Sequence, residues 1–346
     1  MTGNTLGWVI VAFVLYLLMM IAIGAFYAKG NNNSEDYFLG GRKLNGFVAA
    51  LSAQASDMSG WLLMGLPGAI YLTGVGGDGW IAIGLFIGTT LNWLFIATKL
   101  RRYTIRANNS VTLPTYFENR FHDEKKVLMT VSSITIVVFF LVYCASALSA
   151  GGQLFESVFG IDYHVALTIG ALVVLVYTFL GGFTAVCVTD FIQGMLMLVG
   201  ILAVPLFAYH FLTTGGTTLS AGLEASGADS ANFLNLMKNG DGSNNIISVI
   251  SGLGWGLGYF GMPHILVRFM AVRDEKEMTK SKATAISWVA LSLGFAVFIG
   301  ILGRAYLPEL VNGNNEKVFI EMIKKVFTVE MRAPFIAGLF LCGILA

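Results

Sequence analysis

Charge is scarce in this chain of 346 residues: Lys, Arg, Asp and Glu together make up 12% of it, about half the usual share in soluble proteins. That excludes an ordinary water-soluble globule. The formal net charge is +1, which excludes the basic face that a nucleic-acid partner requires. Cysteine is scarcer: Cys144, Cys187 and Cys342 fall inside or at the edge of apolar runs, with no CxxC pair. They are expected to be buried structural thiols. The histidines His122, His164, His210 and His264 are scattered, so neither a disulfide framework nor a metal-ligand cluster is expected. No phosphate-binding loop, nucleophile elbow or kinase motif appears, so the chain does not read as an enzyme and no organic cofactor is expected. Nor does it begin with a cleaved signal peptide, because a basic start is missing and the first apolar run is too long.

Hydrophobic residues are what the chain has, at 56%. Runs of roughly 20 apolar residues, enough to cross a hydrocarbon core, recur at about 8–28, 44–72, 79–98, 128–149, 164–180, 185–212, 246–271, 284–306 and 333–346. The expected class is an all-α integral membrane protein in a lipid bilayer. Most of the 21 Lys and Arg follow the first, third and seventh runs: Lys29, Arg42 and Lys43, then Lys99 through Lys126, then Arg268 through Lys282. By the positive-inside rule these loops, with the Gly181-Gly182 turn, face the cytoplasm. The N-terminus is then outside, in a multi-pass arrangement in the cell (inner) membrane. Glu316 to Phe327 reads as an amphipathic helix on the outer surface. The last run stops at Ala346 without a flanking charge or aromatic anchor, so the expectation is a truncated chain that lacks the rest of that segment and whatever follows.

Two runs are interrupted alike. One reads Leu51 through Asp57-Met-Ser-Gly60 to Pro67-Gly68; the other carries Gly252, Gly254, Gly256, Gly258 and Gly261, then Pro263 and His264. In hydrocarbon, irregular backbone persists only against protein or a water-filled cavity, and a pair of broken helices in corresponding halves points to a transporter's binding site. Asp57 is the acidic residue inside the first of these runs, and an ionisable group at that depth marks a functional site unless it only caps a half-helix. Ser56 and Ser59 flank it. Carbonyls freed by the break suit sodium, a hard cation that prefers oxygen ligands. Trp255 and Tyr259, four apart beside the second break, read as an aromatic wall for a small ligand, with packing as the alternative. A glycine contact face is disfavoured in that run because spacing of two does not match the i, i+4 pattern. Tyr143 and Ser146 are polar groups that face the same cavity in this reading. Asp190, in Thr189-Asp190, either caps a helix or lines an inner ion exit, with the cap favoured.

The stretches Tyr37-Phe-Leu-Gly-Gly-Arg42, Ala55 through Gly68, Tyr143-Cys-Ala-Ser146, Tyr177 through Phe183, Thr189-Asp190 and Gly254 through Met270 together resemble the sodium:solute symporter family, most closely its proline-carrying branch. The resemblance implies an inverted five-helix-repeat transporter fold preceded by one extra helix. Residues 1–36 would hold the extra helix and its loop, 37–213 the first repeat, 214–245 an extracellular loop, and 246–346 the start of a second repeat truncated in its third helix. It also implies sodium as the coupling ion, held by the backbone carbonyls of Ala55 and Met58, with Asp57 and Ser59 in coupling. Substrate positions would be Tyr143, Trp255, Tyr259 and Pro263. Met262 departs from the family, where close relatives often have glutamine. The family's remaining sodium ligands, a small residue and a Ser-Thr pair, would follow Gly343-Ile-Leu-Ala346. The expected function is sodium-coupled symport of L-proline by alternating access. The alternatives are the same fold carrying a carboxylate, vitamin or sugar, and a membrane sensor with a transporter-like domain.

Overall fold

The computed structural model describes residues 3–28, 33–312 and 314–345. Lys29 and Ala346 lie outside the described residues. Every apolar run becomes helical. We label α1 Gly3–Ala28, α2 Gly46–Gly60, α3 Leu66–Thr73, α4 Val75–Leu91, α5 Ala97–Arg106, α6 Val127–Phe159, α7 Tyr163–Thr214, α8 Ile246–Trp255, α9 Pro263–Ala271, α10 Glu275–Tyr306, α11 Val318–Ile323 and α12 Pro334–Cys342. Among the described residues the only sheet-like contacts are isolated bridges, Leu44 with Val272 and Lys238 with Asn244.

Side-chain caps place several of these ends. Asn45 accepts from the Val48 N–H to start α2, Asp162 from His164 and Val165 to start α7, and Asp274 from Glu277 to start α10. Helix α7 runs for 52 residues, about 78 Å at 1.5 Å per residue and far more than one crossing needs. At Gly182 its backbone turns to φ 61, ψ −162, the conformation glycine adopts without penalty, and this kink divides α7 into two helical lengths. By length and composition five described helices can cross a membrane, with α4 and α5 taken as one continuous helix over Val75–Arg106, or six when α8 and α9, bent by 45°, also count as one.

The broken segments are built as their residues demand. Segment two leaves helical geometry at Ser59, with φ 38, ψ −151, and passes through a wide turn at Trp61–Gly65 into α3. Segment seven tightens at Gly256–Gly261, then restarts at Pro263, which stands at the first position of α9 and needs no N–H there.

Its glycines divide into two sets. A Cβ added to Gly84 would sit 2.3 Å from the Gly252 carbonyl oxygen, and one on Gly88 would sit 2.2 Å from that of Gly256. Gly252 and Gly256 therefore form an i, i+4 face that lets α8 and the start of the turn after it touch α4 backbone to backbone, contrary to the expectation from the spacing of two. Around Gly254, Gly258 and Gly261 the space is open.

The 316–327 segment also differs from expectation. Val318, Phe319, Ile320, Met322, Ile323, Val326 and Phe327 are buried in protein, with Phe327 edge-on to Phe340 at 5.1 Å. Its apolar face packs into the bundle rather than resting on a membrane surface.

The basic end of the bundle is closed by polar contacts. Arg42, buried, donates to the carbonyls of Met270 and Ser110, both at 2.8 Å. The Leu44 N–H donates to Ala271 O at 3.2 Å, and the Arg273 N–H to Leu44 O at 2.9 Å. Glu277 accepts from the first N–H of α2, that of Gly46, at 2.6 Å.

Candidate functional site

The break in α2 is held from both sides. The Tyr143 hydroxyl donates to the carbonyls of Ser56 at 2.5 Å and Asp57 at 3.2 Å, groups that a continuous helix would have paired internally. The Met58 carbonyl accepts from the Trp61 N–H. Asp57 is tied to the second broken segment: its Oδ2 accepts from the Tyr259 hydroxyl at 2.6 Å, and its Oδ1 lies 3.8 Å from His264 Nε2. The His264 ring stacks on Tyr143, centroids 5.2 Å apart. Asp57 thus sits where α2, α6 and the α8–α9 break meet, with its side chain 4% exposed.

Beside it lies a cavity of about 530 Å³, within the size range of small-molecule sites. Asp57, Met58, Ser59, Tyr143, Ser146, Trp255 and Tyr259 all line it, as do Trp61, Gln153, Met262 and Glu316. It runs from the break to Glu316, an exposed residue. Its lining holds two carboxylates, Asp57 and Glu316, and no Lys or Arg among the described residues.

Not every residue singled out from the sequence reaches this space. The Ala55 side chain is buried against α7, where an added Cβ on Gly194 would lie 3.5 Å from it. Pro263 shapes the break without lining the cavity. Trp255 and Tyr259 share the cavity but not a single wall, because the residues between them form a tight turn rather than a regular α-helix. Trp255, half-exposed, stacks on Trp61 with centroids 5.7 Å apart and planes 25° apart. Tyr259 is buried and turned toward Asp57. Trp61 was missed from sequence, although Gly60-Trp61 and Gly254-Trp255 repeat the same pair beside each break.

Two further expectations need correction. Asp190 is not a helix cap: it lies inside α7, eight positions past the Gly182 turn, and its carboxylate is engaged by side chains of α2 and α9. Cys144 is exposed on α6, whereas Cys187 and Cys342 are buried. No group of His, Cys, Asp and Glu among the described residues could hold a transition metal. A cation at the break would instead find carbonyl, hydroxyl and carboxylate oxygens, the donor set that suits sodium.

A model of the sodium:solute symporter family matches residues 37–346. The chain is 44% identical over 343 residues to the sodium/proline symporter of Salmonella typhimurium and 45% over 345 residues to that of Haemophilus influenzae, covering 97% of this chain and 66% of each relative. The sodium/proline symporter of Staphylococcus aureus strain COL is 42% identical over 339 residues, with 97% and 63% covered. The chain therefore spans about two thirds of the length of these relatives, or slightly less. Among solved structures, the substrate-bound outward-open state of a Na+-coupled sialic acid symporter superposes with a TM-score of 0.77, covering 98% of this chain and 71% of that one at 19% identity. At that identity the likeness speaks to the fold alone.

Proposed function

Because the chain belongs to the sodium:solute symporter family, we propose that it carries out sodium-coupled uptake of L-proline by alternating access, with the cavity between the two broken helices as the substrate site. The carrying observation is the Tyr259–Asp57 hydrogen bond, which joins the two breaks across that cavity. In this reading α1 is an extra helix, residues 37–213 form one five-helix repeat, and residues from 246 onward belong to its inverted counterpart. The N-terminus is outside and the basic end faces the cytoplasm. The closed basic end and the run of the cavity toward Glu316 correspond to an outward-facing form.

Sodium is proposed to sit at the α2 break, among the carbonyls of Ala55 and Met58, the Ser59 hydroxyl and the Asp57 carboxylate. Tyr143 already holds the Ser56 and Asp57 carbonyls, so a ligand that recruits the Tyr143 hydroxyl frees oxygens beside the ion. Trp61 and Trp255 offer a flat apolar face to a pyrrolidine ring. The cavity's charge separates proline from the alternatives: two carboxylates and no resident cation favour a substrate with an ammonium group and disfavour a simple carboxylate. One sodium ion suffices energetically, since about 2.3 kcal/mol per 100 mV and about 1.4 kcal/mol for a tenfold gradient sustain a steep proline gradient.

Equilibrium binding of labelled proline to the purified protein tests this reading. Binding should strengthen markedly when sodium replaces a large organic cation, and acetate in excess should not compete. Sodium-independent binding, or displacement by acetate, contradicts it.

A further inference from the structure

Beneath the cavity, toward the basic end, lies a buried ion pair for which transport as described above has no use. Arg268 of α9 donates through Nη2 to Asp190 Oδ2 of α7 at 2.9 Å; the two residues are 6% and 7% exposed. Two α2 hydroxyls complete the cluster. Ser52 Oγ donates to Asp190 Oδ2 at 2.6 Å and accepts from Arg268 Nε at 3.0 Å; Ser56 Oγ lies 3.0 Å from the same carboxylate oxygen and accepts from Arg268 Nη2 at 2.7 Å. Arg268 Nη1 donates to the His264 carbonyl at 2.6 Å, and the guanidinium lies over the Phe183 ring at 5.6 Å. Every guanidinium nitrogen is thus engaged, by three separate elements.

Those elements are the inner half of the first broken helix, the restarted helix α9 of the second, and the part of α7 just beyond its Gly182 turn. Each borders a break in helical geometry, at Ser59, Met262 and Gly182 respectively. A seam between such pieces made of apolar packing would be costly to wet, whereas hydrogen-bonding groups exchange protein partners for water at small net cost. Removing one partner of such a pair is another matter, because it leaves a buried charge uncompensated. Ser56 has a second role by virtue of position: its hydroxyl joins this cluster while its carbonyl is held by Tyr143 at the cavity wall.

We propose that Arg268 is a positioning residue for transport, a tethered cation that latches α2, α7 and α9 together beneath the site and is released through Ser56 when ligand recruits Tyr143. The release step rests on the transport reading above; the latch itself does not. The closed contacts of Arg42, Leu44 and Glu277 lie further toward the basic end, so the latch is the inner of two barriers between cavity and cytoplasm.

Cys187 provides a native reporter. It is wholly buried, three positions before Asp190, with Ser52, Arg268 and Asp190 among its electrostatic neighbours. In a Cys144→Ala, Cys342→Ala background of the complete protein, the rate at which a small maleimide labels Cys187 measures opening of the seam. The latch predicts labelling at least about tenfold faster in Arg268→Gln, the ratio expected when a two-state equilibrium loses one decade of bias. Labelling should fall back toward the parent rate in Arg268→Gln with Asp190→Asn, which removes the uncompensated charge, and in Arg268→Lys, which restores the cation. Simple loss of packing would instead make the double variant faster than the single one. In the parent, saturating sodium and proline should accelerate labelling. Parent-like labelling in Arg268→Gln, or a double variant faster than the single, overturns the latch whatever the uptake result. Should Arg268→Gln not fold, Asp190→Asn, which leaves the guanidinium uncompensated instead, serves as the single variant and is read by the same criterion. Acceleration by ligand absent from a protein that does transport proline overturns the release step.

Discussion

Tyr259 donates its hydroxyl proton to Asp57 Oδ2 at 2.6 Å, bridging residues 202 positions apart. This bond makes the two broken helices one site. It also fixes which carboxylate oxygen is already committed, leaving Oδ1 and the carbonyls of the break to meet a cation. Replacing Asp57 by Asn keeps an acceptor for Tyr259 and removes the charge. A hydrogen bond or contact to a charged group contributes about 1.5–3 kcal/mol, so Asp57→Asn should raise the sodium concentration for half-maximal uptake by about tenfold or more. The protein should still insert normally. Sodium dependence identical to the parent would return Asp57 to a capping role.

The Trp61–Trp255 stack predicts a pair effect that neither residue shows alone. Aromatic pairs contribute about 0.5–1.5 kcal/mol beyond their area. Trp61→Ala and Trp255→Ala should each raise the proline concentration for half-maximal uptake several-fold, and the double variant should cost less than the product of the two. Strict multiplicativity in the double-mutant cycle would mean that the rings act separately.

Glycines of α4 and of the second broken segment should sort by what surrounds them. Gly88→Leu places a side chain where Gly256 backbone already lies, 2.2 Å from a Cβ, and should abolish recovery of monodisperse protein. Gly254→Ala and Gly258→Ala enter open space and should leave yield and Tm within a few degrees of the parent. Equal damage at both kinds of position would contradict the α4–α8 contact.

The closed basic end should persist under mild acid. The Glu277 carboxyl is held below its ordinary value, first by the hydrogen bond from Lys280 and then by that from the Gly46 N–H. A lowered folded-state pKa contributes stability that is present above the unfolded pKa and is lost only as pH falls through the folded one. Acidification to about pH 5 therefore leaves Glu277 ionised, since an unperturbed glutamate titrates near pH 4.3. Thermal unfolding at pH 7 and at pH 5 should differ no more in the parent than in Glu277→Gln. A loss of stability over this interval that Glu277→Gln abolishes would contradict the assignment.

The helices and both breaks were legible because hydrocarbon tolerates so few arrangements: long apolar runs must be helical, and Ser59-Gly60 or Gly261-Met-Pro263 inside one must interrupt it. Helix starts were less visible. Hydropathy places the eighth run at about 284, yet α10 begins at Glu275, because the Asp274 cap and charges exposed to water extend it by more than two turns. The site's aspartate and aromatics could be named from local sequence, but their partners could not. Arg268 counted as a loop charge on the basic side, whereas the fold buries it against Asp190, 78 positions away. Such long-range pairing of polar groups leaves no periodic trace. The packing of Gly252 and Gly256 was obscured for a related reason, since the intervening Gly254 has no packing role and blurs the i, i+4 pattern.

The most direct test of the account is uptake of labelled L-proline into proteoliposomes containing the protein. An inward sodium gradient with interior-negative potential should drive accumulation above equilibrium, and Asp57→Asn should sharply reduce it at low sodium. Proline entry that only equilibrates, or that proceeds equally well without sodium, would contradict the account.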